Sequence, residues 1–403
     1  MAGLLLCLAH GHANPFDGRL DREQVQSRLE TLVKEPGVLV NRIRIDDQIF
    51  SLYATEADYH ADRPEISVSL NSRPTMNREI RKNGLSGKHI VLDPGHFGGA
   101  LSEVEERYVR ANLDGTRIHF DEGTLTVATA RILKTKLEKA GARVTITKNV
   151  VGRGVLDQGF YDWQASPEFE KSVDMKVANI EDPKERAHAK RWWMSEATDV
   201  EKFRLLFNVM DIEKRAEIIT SLKPDFTLFL HFNSGADRDP ISGDNLLTED
   251  NYSVIFVGGA YVQGELESKE ARRNFVRQLF TSEVFESKIA SSYLVEALEK
   301  DLGISPVSEY HEYAQEGYLK KYSLKLSDGV YARNMTLTRR VPGVIAYAEP
   351  LCQDNVHMIN LLAQRGLQVG DLITSPYLLK VATAYYKGIE KYFGHPAAEE
   401  EPR

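Results

Sequence analysis

The chain has 403 residues, enough for one large core together with a smaller domain or several long insertions. Hydrophobic residues make up 42% and charged residues 27%, ordinary values for a globular protein, so neither a disordered nor a fibrous chain fits. Against 51 basic side chains stand 59 acidic ones, a formal charge of -8 with no basic stripe, which argues against nucleic acid as a partner.

Residues 1–13, MAGLLLCLAHGHA, are apolar at Leu4, Leu5, Leu6 and Leu8 and end on the small residues Gly11 and Ala13 around a histidine. They read as a truncated signal segment that lacks a basic start. No other stretch approaches the roughly 20 apolar residues of a membrane span, so no transmembrane segment is expected. The two cysteines are Cys7 and Cys352. With Cys7 in the leader, no intramolecular disulfide is expected, and any metal must be held by imidazole and carboxylate rather than by thiolates.

Residues 14–86 read as a small N-terminal region of unclear fold. A polar helical run, Arg19 to Lys34, stops at Pro36-Gly37, and short strands are expected at Leu39 to Ile45, Ile49 to Tyr53 and Ile66 to Leu70. From residue 87 the pattern changes. His89 to Leu92 is an apolar strand running into Asp93-Pro94-Gly95-His96. Glu122 to Ala140 is a helix whose apolar residues recur near the 3.6 period, stopped by Gly141. Val144 to Thr147, Phe226 to Leu230, Val254 to Val257 and Val344 to Ala348 are further strands, and Ile212 to Leu222 a further helix.

Apolar strands that do not alternate, separated by amphipathic helices, predict an α/β fold: an open, mostly parallel sheet covered by helices on both faces. This domain spans 87–393, with long insertions at about 151–208 and 260–330, closing helical structure at 364–393 and a flexible tail at 394–403. Insertions of that length form lids, binding walls or helical additions.

Three chemically capable side chains fall at strand ends, where open α/β sheets bind ligands: His96, His231 and Glu349. A fourth, Glu122, opens a helix with Asp121 as its cap, placing the carboxylate at the positive end of the dipole. Two imidazoles and a carboxylate are a common catalytic zinc set, and a second carboxylate that does not bind the metal serves as acid/base. Each residue also has a plainer reading: a turn histidine at 96, a core histidine at 231, a helix-start acid at 122 and a solvated strand end at 349. Periodicity leaves both readings open.

The stretch IVLDPGHFGG, residues 90–99, resembles the opening motif of the zinc-dependent N-acetylmuramoyl-L-alanine amidases of the amidase_3 type. The helix EGTLTVATARILKTKLEKAGARVTITK, the stretch RAEIITSLKPDFTLFLHFN and the late VPGVIAYAEPLCQDN match further family motifs in the same order. The resemblance covers roughly residues 88–360. It implies one zinc ion on His96, Glu122 and His231, with Glu349 as the catalytic acid/base and Asn233 as a supporting amide; Asn355 matches the trailing asparagine of the late motif. It also implies cleavage of the amide between N-acetylmuramic acid and L-alanine, peptidoglycan or muropeptides as the partner, and export to the periplasm or cell wall.

The sequence departs from the family at His96-Phe97-Gly98-Gly99, where His-Gly-Gly is common, and at Glu349-Pro350-Leu351. With the long insertions, these leave two alternatives: a zinc amidase or peptidase for another amide, or a non-catalytic cell-wall-binding protein. His311-Glu312 lacks the second histidine of the helical zinc motif. Glu103, Glu105 and Glu106 read as a solvated face and His119 as a bystander or supporting group. Arg333 and Arg340 read as surface ion pairs, with contact to a stem-peptide carboxylate as the alternative.

Overall fold

A computed structural model describes residues 14–71, 84–113, 115–235, 237–309, 311–315 and 317–394; the leader, with Cys7, and the tail from 395 lie outside the described residues. These residues divide into two compact units, one formed by those before Ile80 with Gly259–Ser282, the other by Ile80–Gly258 with Glu283 onward.

In the first unit, the strands Ile43–Ile45, Ile49–Leu52 and Ile66–Ser69 form an antiparallel sheet. The helix Arg22–Leu32 is closed at its start by a capping box of Asp21 and Gln24. It packs against the helix Lys269–Phe280, so a segment expected within the second insertion completes this unit. Arg28 ties the two by donating to the carbonyls of Leu279 and Thr281.

The second unit is built on a seven-stranded sheet. Its strands are β1 (His89–Pro94), β2 (Arg143–Ile146), β3 (Phe226–Leu230), β4 (Val254–Val257), β5 (Ser323–Ser327), β6 (Val330–Arg333) and β7 (Ile345–Glu349). Their order is β5-β6-β4-β7-β3-β1-β2. The pairs β2–β1, β1–β3, β3–β7 and β4–β6 are parallel, whereas β7–β4 and β6–β5 are antiparallel. The sheet is therefore mixed, and the expectation of a mostly parallel one describes its β2-β1-β3-β7 half. Every residue of β1, β3 and β4 is buried, which explains their unbroken apolar runs.

Helices cover both faces. On one side pack α1 (Glu122–Lys139), α3 (Glu283–Leu302) and α4 (Leu378–Gly394). On the other, α2 (Asn208–Leu222) sets Ala216 and Ile219 against Val91 and Phe229, with Leu337 and Val341 alongside. The first insertion folds as helices around Phe160, Trp163, Phe169, Phe203 and Phe207, and this aromatic cluster includes Phe97. The closing segment holds α4 but also a hairpin, Leu367–Val369 with Leu372–Thr374, that periodicity does not predict. No helix among the described residues is long and apolar enough to cross a membrane.

Candidate metal centre

Strand β1 ends at Pro94, and the chain turns through Gly95 and His96 above the sheet. The N–H of Gly95 donates to the carbonyl of Leu230 at the end of β3, and Thr126 Oγ1 on α1 donates to the carbonyl of Gly95 at 2.7 Å. His96 takes φ of +57°, the left-handed region that a side chain enters at roughly 1–2 kcal/mol. The cost of this turn is borne at the residue that carries the imidazole.

His231 follows β3, and its N–H donates to the carbonyl of Ala348 on β7. The imidazole stacks flat on Tyr347, with centroids 4.2 Å apart and planes 13° apart, and meets His96 edge-on at 4.8 Å. Glu122 is the first residue of α1, capped by Asp121, which accepts from the Thr124 N–H at 2.7 Å. Its carboxylate accepts from the Phe232 N–H at 2.8 Å and from Gln353 Nε2 at 3.3 Å. Gln353 also donates to the Phe232 carbonyl at 3.2 Å, and so clamps the acid to the strand end. The α1 start lies close against the loop after His96: a Cβ on Gly123 would meet the Gly98 nitrogen at 2.4 Å.

The three side chains converge. His96 Nε2 lies 3.1 Å from His231 Nδ1 and 3.3 Å from Glu122 Oε2, and His231 Nδ1 lies 3.3 Å from Glu122 Oε1. All three ligand atoms fit within 4.8 Å of one another. Zinc bonds of about 2.0 to 2.1 Å at tetrahedral angles set ligand atoms roughly 3.3 Å apart. The arrangement therefore fits a zinc ion. A single shared proton between two facing imidazoles leaves the carboxylate poorly served, whereas one cation satisfies all three groups. Burial lowers the pKa of His231 to about 3, with Arg215 adding to the effect, and lowers that of His96 against the pull of Glu122 and Glu105. Both shifts favour the neutral ring that ligation requires.

Glu349 ends β7, beside the β3 end that carries His231. The residue is half-buried. Burial, reinforced by Glu122, raises its pKa to about 8 against the opposing charges of Arg333 and Arg107.

Other expectations meet a varied outcome. Glu105 is not part of a solvated face: it is 3% exposed and accepts from His96 at 2.9 Å and from the Phe97 N–H at 2.8 Å. Burial would raise its pKa, but His96, Lys148 and the Phe97 N–H outweigh burial and hold it down at about 2. Asn355 serves a loop, donating to the carbonyls of Thr248, Glu249 and Asp250. Asn233 pairs through its backbone with Leu351 and Gln353 in the segment after β7, and its Nδ2 is buried without a hydrogen-bond partner among the described residues. Arg340 pairs with Glu213 at 3.2 Å, whereas Arg333 stacks on Tyr318 at 4.2 Å, within electrostatic reach of Glu349. His119 lies 3.5 Å from Glu103, and His311 pairs with Asp250 at 3.1 Å.

Beneath the site lies a charged cluster that sequence reading missed. Asp93 accepts from Arg215 Nε and Nη2 and from the Thr147 hydroxyl, with both charged groups buried. Lys148 is 4% exposed, and burial followed by Arg215 lowers its pKa to about 8.

No family model matches the chain, and no curated protein does. Among solved structures it is similar to the N-acetylmuramyl-L-alanine amidase Ami1 from Mycobacterium smegmatis, at 14% identity and a TM-score of 0.40, over 78% of this chain and 99% of that one. The CwlD amidase from Clostridioides difficile, solved in complex with the GerS lipoprotein, matches at 14% and 0.39, over 76% and 98%. The amidase AmiC2 of Nostoc punctiforme matches at 12% and 0.36, over 78% and 100%. Likeness this loose assigns neither a site nor an activity.

Proposed function

We propose that this protein is a zinc-dependent amidase that cleaves the bond between N-acetylmuramic acid and L-alanine in peptidoglycan. The observation that carries the reading is the convergence of His96 Nε2, Glu122 and His231 Nδ1 from three separated parts of the chain, next to the strand end that bears Glu349. The ordered motifs around these residues supply the substrate class. On this reading residues 87–393, apart from Gly259–Ser282, which joins the first unit, are the catalytic domain, and residues 1–13 direct export to the periplasm or cell wall.

His96, Glu122 and His231 would hold one zinc ion. Bound there, zinc supplies Lewis acidity, polarising the scissile carbonyl and making water a stronger acid. Glu349 then takes a proton from the attacking water onto its carboxylate and delivers it to the leaving amide nitrogen, the two halves of general acid–base work. Its raised pKa makes the carboxylate a stronger base than an exposed glutamate, which favours the first transfer. Glu122 is held in place by the Phe232 N–H and Gln353, with its oxygens facing the two imidazoles. Tyr347 and Gly95 fix the ring of His231 from its flat side and from the β1 turn.

A second reading, a zinc amidase for another amide, is favoured by Phe97. This residue stands where the family commonly has glycine, and it roots the helical insertion beside the site through its contacts with Phe203 and Phe207. Incubation of the zinc-loaded protein with purified sacculi separates the two. New L-alanine amino termini, absent with Glu349→Ala, support the muramoyl amide; intact sacculi with cleavage of other N-acyl amino acids support the second.

A further inference from the structure

We propose that Glu105 is a positioning residue that locks His96 in the tautomer able to bind metal, with Lys148 as its buried counter-charge. The proposal rests on the zinc reading of the site and adds a residue to it.

An ionised carboxylate only accepts hydrogen bonds. Glu105 lies with Oε1 2.9 Å from His96 Nδ1 and Oε2 2.8 Å from the Phe97 N–H. The proton of His96 must therefore sit on Nδ1, which leaves the lone pair on Nε2. That atom is the one facing Glu122 and His231, at 3.3 and 3.1 Å. The same carboxylate also fixes the backbone of the neighbouring residue, so it sets both the rotation of the ring and the path of the loop. Carboxylates behind metal histidines act in this way, and their loss weakens metal binding by about 10- to 100-fold.

Glu105 is 3% exposed, and a carboxylate buried beside a neutral ring needs compensation. Lys148 supplies it. Its ammonium is 4% exposed, has no hydrogen-bond partner among the described residues and lies 5.1 Å from the centroid of the Phe97 ring. It follows β2, so the sheet rather than a mobile loop delivers the charge. A glutamine at 105 cannot reproduce this. With its oxygen toward Nδ1, its amide group opposes the Phe97 N–H; turned over, it donates to Nδ1 and pushes the ring proton onto Nε2.

The test uses the full chain. In metal-free wild type, ¹⁵N chemical shifts of histidine-labelled protein should show His96 as the Nδ1–H tautomer, and Glu105→Gln should shift it toward Nε2–H. Zinc affinity, read by competition with a chromophoric chelator, should fall about 10- to 100-fold in Glu105→Gln. Far-UV circular dichroism of the metal-free variant should be unchanged. An Nε2–H tautomer in the wild type overturns the proposal, as does equal zinc affinity in a folded Glu105→Gln. If that variant does not fold, the wild-type tautomer alone decides. A wild type that shows Nδ1–H but takes up no zinc sinks the zinc reading and leaves the tautomer lock standing.

Discussion

Substituting Gly95 by alanine isolates the steric design of the site. Gly95 lies outside the left-handed region, so its backbone accepts a side chain without strain. The obstacle is His231: an ideal Cβ would lie 2.2, 2.4 and 2.6 Å from three atoms of its ring, where ordinary contact begins near 3.4 Å. The main chain at Gly95 cannot easily retreat, because its N–H is bonded to the Leu230 carbonyl and its carbonyl to Thr126. The ring must yield by roughly 1 Å, beyond the about 0.5 Å tolerance of a metal constellation. Overpacking of this kind destabilises a fold by about 1–3 kcal/mol. We expect zinc affinity to fall on the order of 100-fold, about 2.7 kcal/mol. Chelator competition and thermal denaturation of the metal-free protein measure the two effects. Added to His231→Ala, Gly95→Ala should cost almost nothing, because the clashing ring is gone. Wild-type zinc affinity in Gly95→Ala, or an undiminished stability loss in the double variant, would refute the argument.

Two further expectations follow. The raised pKa of Glu349 means that the metal-free fold holds a proton there which the unfolded chain releases above about pH 4.5; stability from this group is full below that pH and is lost as pH rises through about 8. Glu349→Gln, compared with wild type by urea denaturation of metal-free protein, should therefore gain relative stability from pH 6 to 8, by up to about 2–3 kcal/mol. A pH-independent difference contradicts the assignment. Phe97→Ala removes a ring that is 1% exposed within the aromatic cluster of the insertion and should destabilise the protein by about 3–5 kcal/mol. Limited proteolysis should then cut within residues 151–208 first, and cleavage spread evenly along the chain argues against this anchoring.

Much of this architecture is legible in the sequence where burial is complete. Phe226–Leu230 and Val254–Val257 coincide with their predicted bounds because strands covered on both faces are apolar at every position. Strand direction is not encoded in such runs, so the antiparallel turn of β4 against β7 could not be read from them. Ser323–Ser327 sits within what reads as an insertion and Val330–Arg333 starts at its end, since the edge strand carries the exposed Lys325 amid half-buried residues and so lacks an unbroken apolar run. The two histidines and two glutamates stand out because they interrupt or end apolar elements. Glu105 does not: in the run Glu103-Val104-Glu105-Glu106 only the left-handed turn at His96 tells which acid points inward. Gln353 has no local signal either, because its role is set by the β7–β3 register that brings its loop to Glu122. Arg215 looks like one more basic residue on a helix until Asp93 is placed beneath it.

The central claim is that His96, Glu122 and His231 form one metal site with Glu349 beside it. Calorimetric titration of the metal-free chain with zinc tests this most directly, with metal content confirmed by mass spectrometry. Wild type and Glu349→Gln should each take up one equivalent, and His96→Ala and His231→Ala should lose tight binding while remaining folded. A wild type that binds no zinc, or histidine variants that bind it as tightly as wild type, would contradict the account.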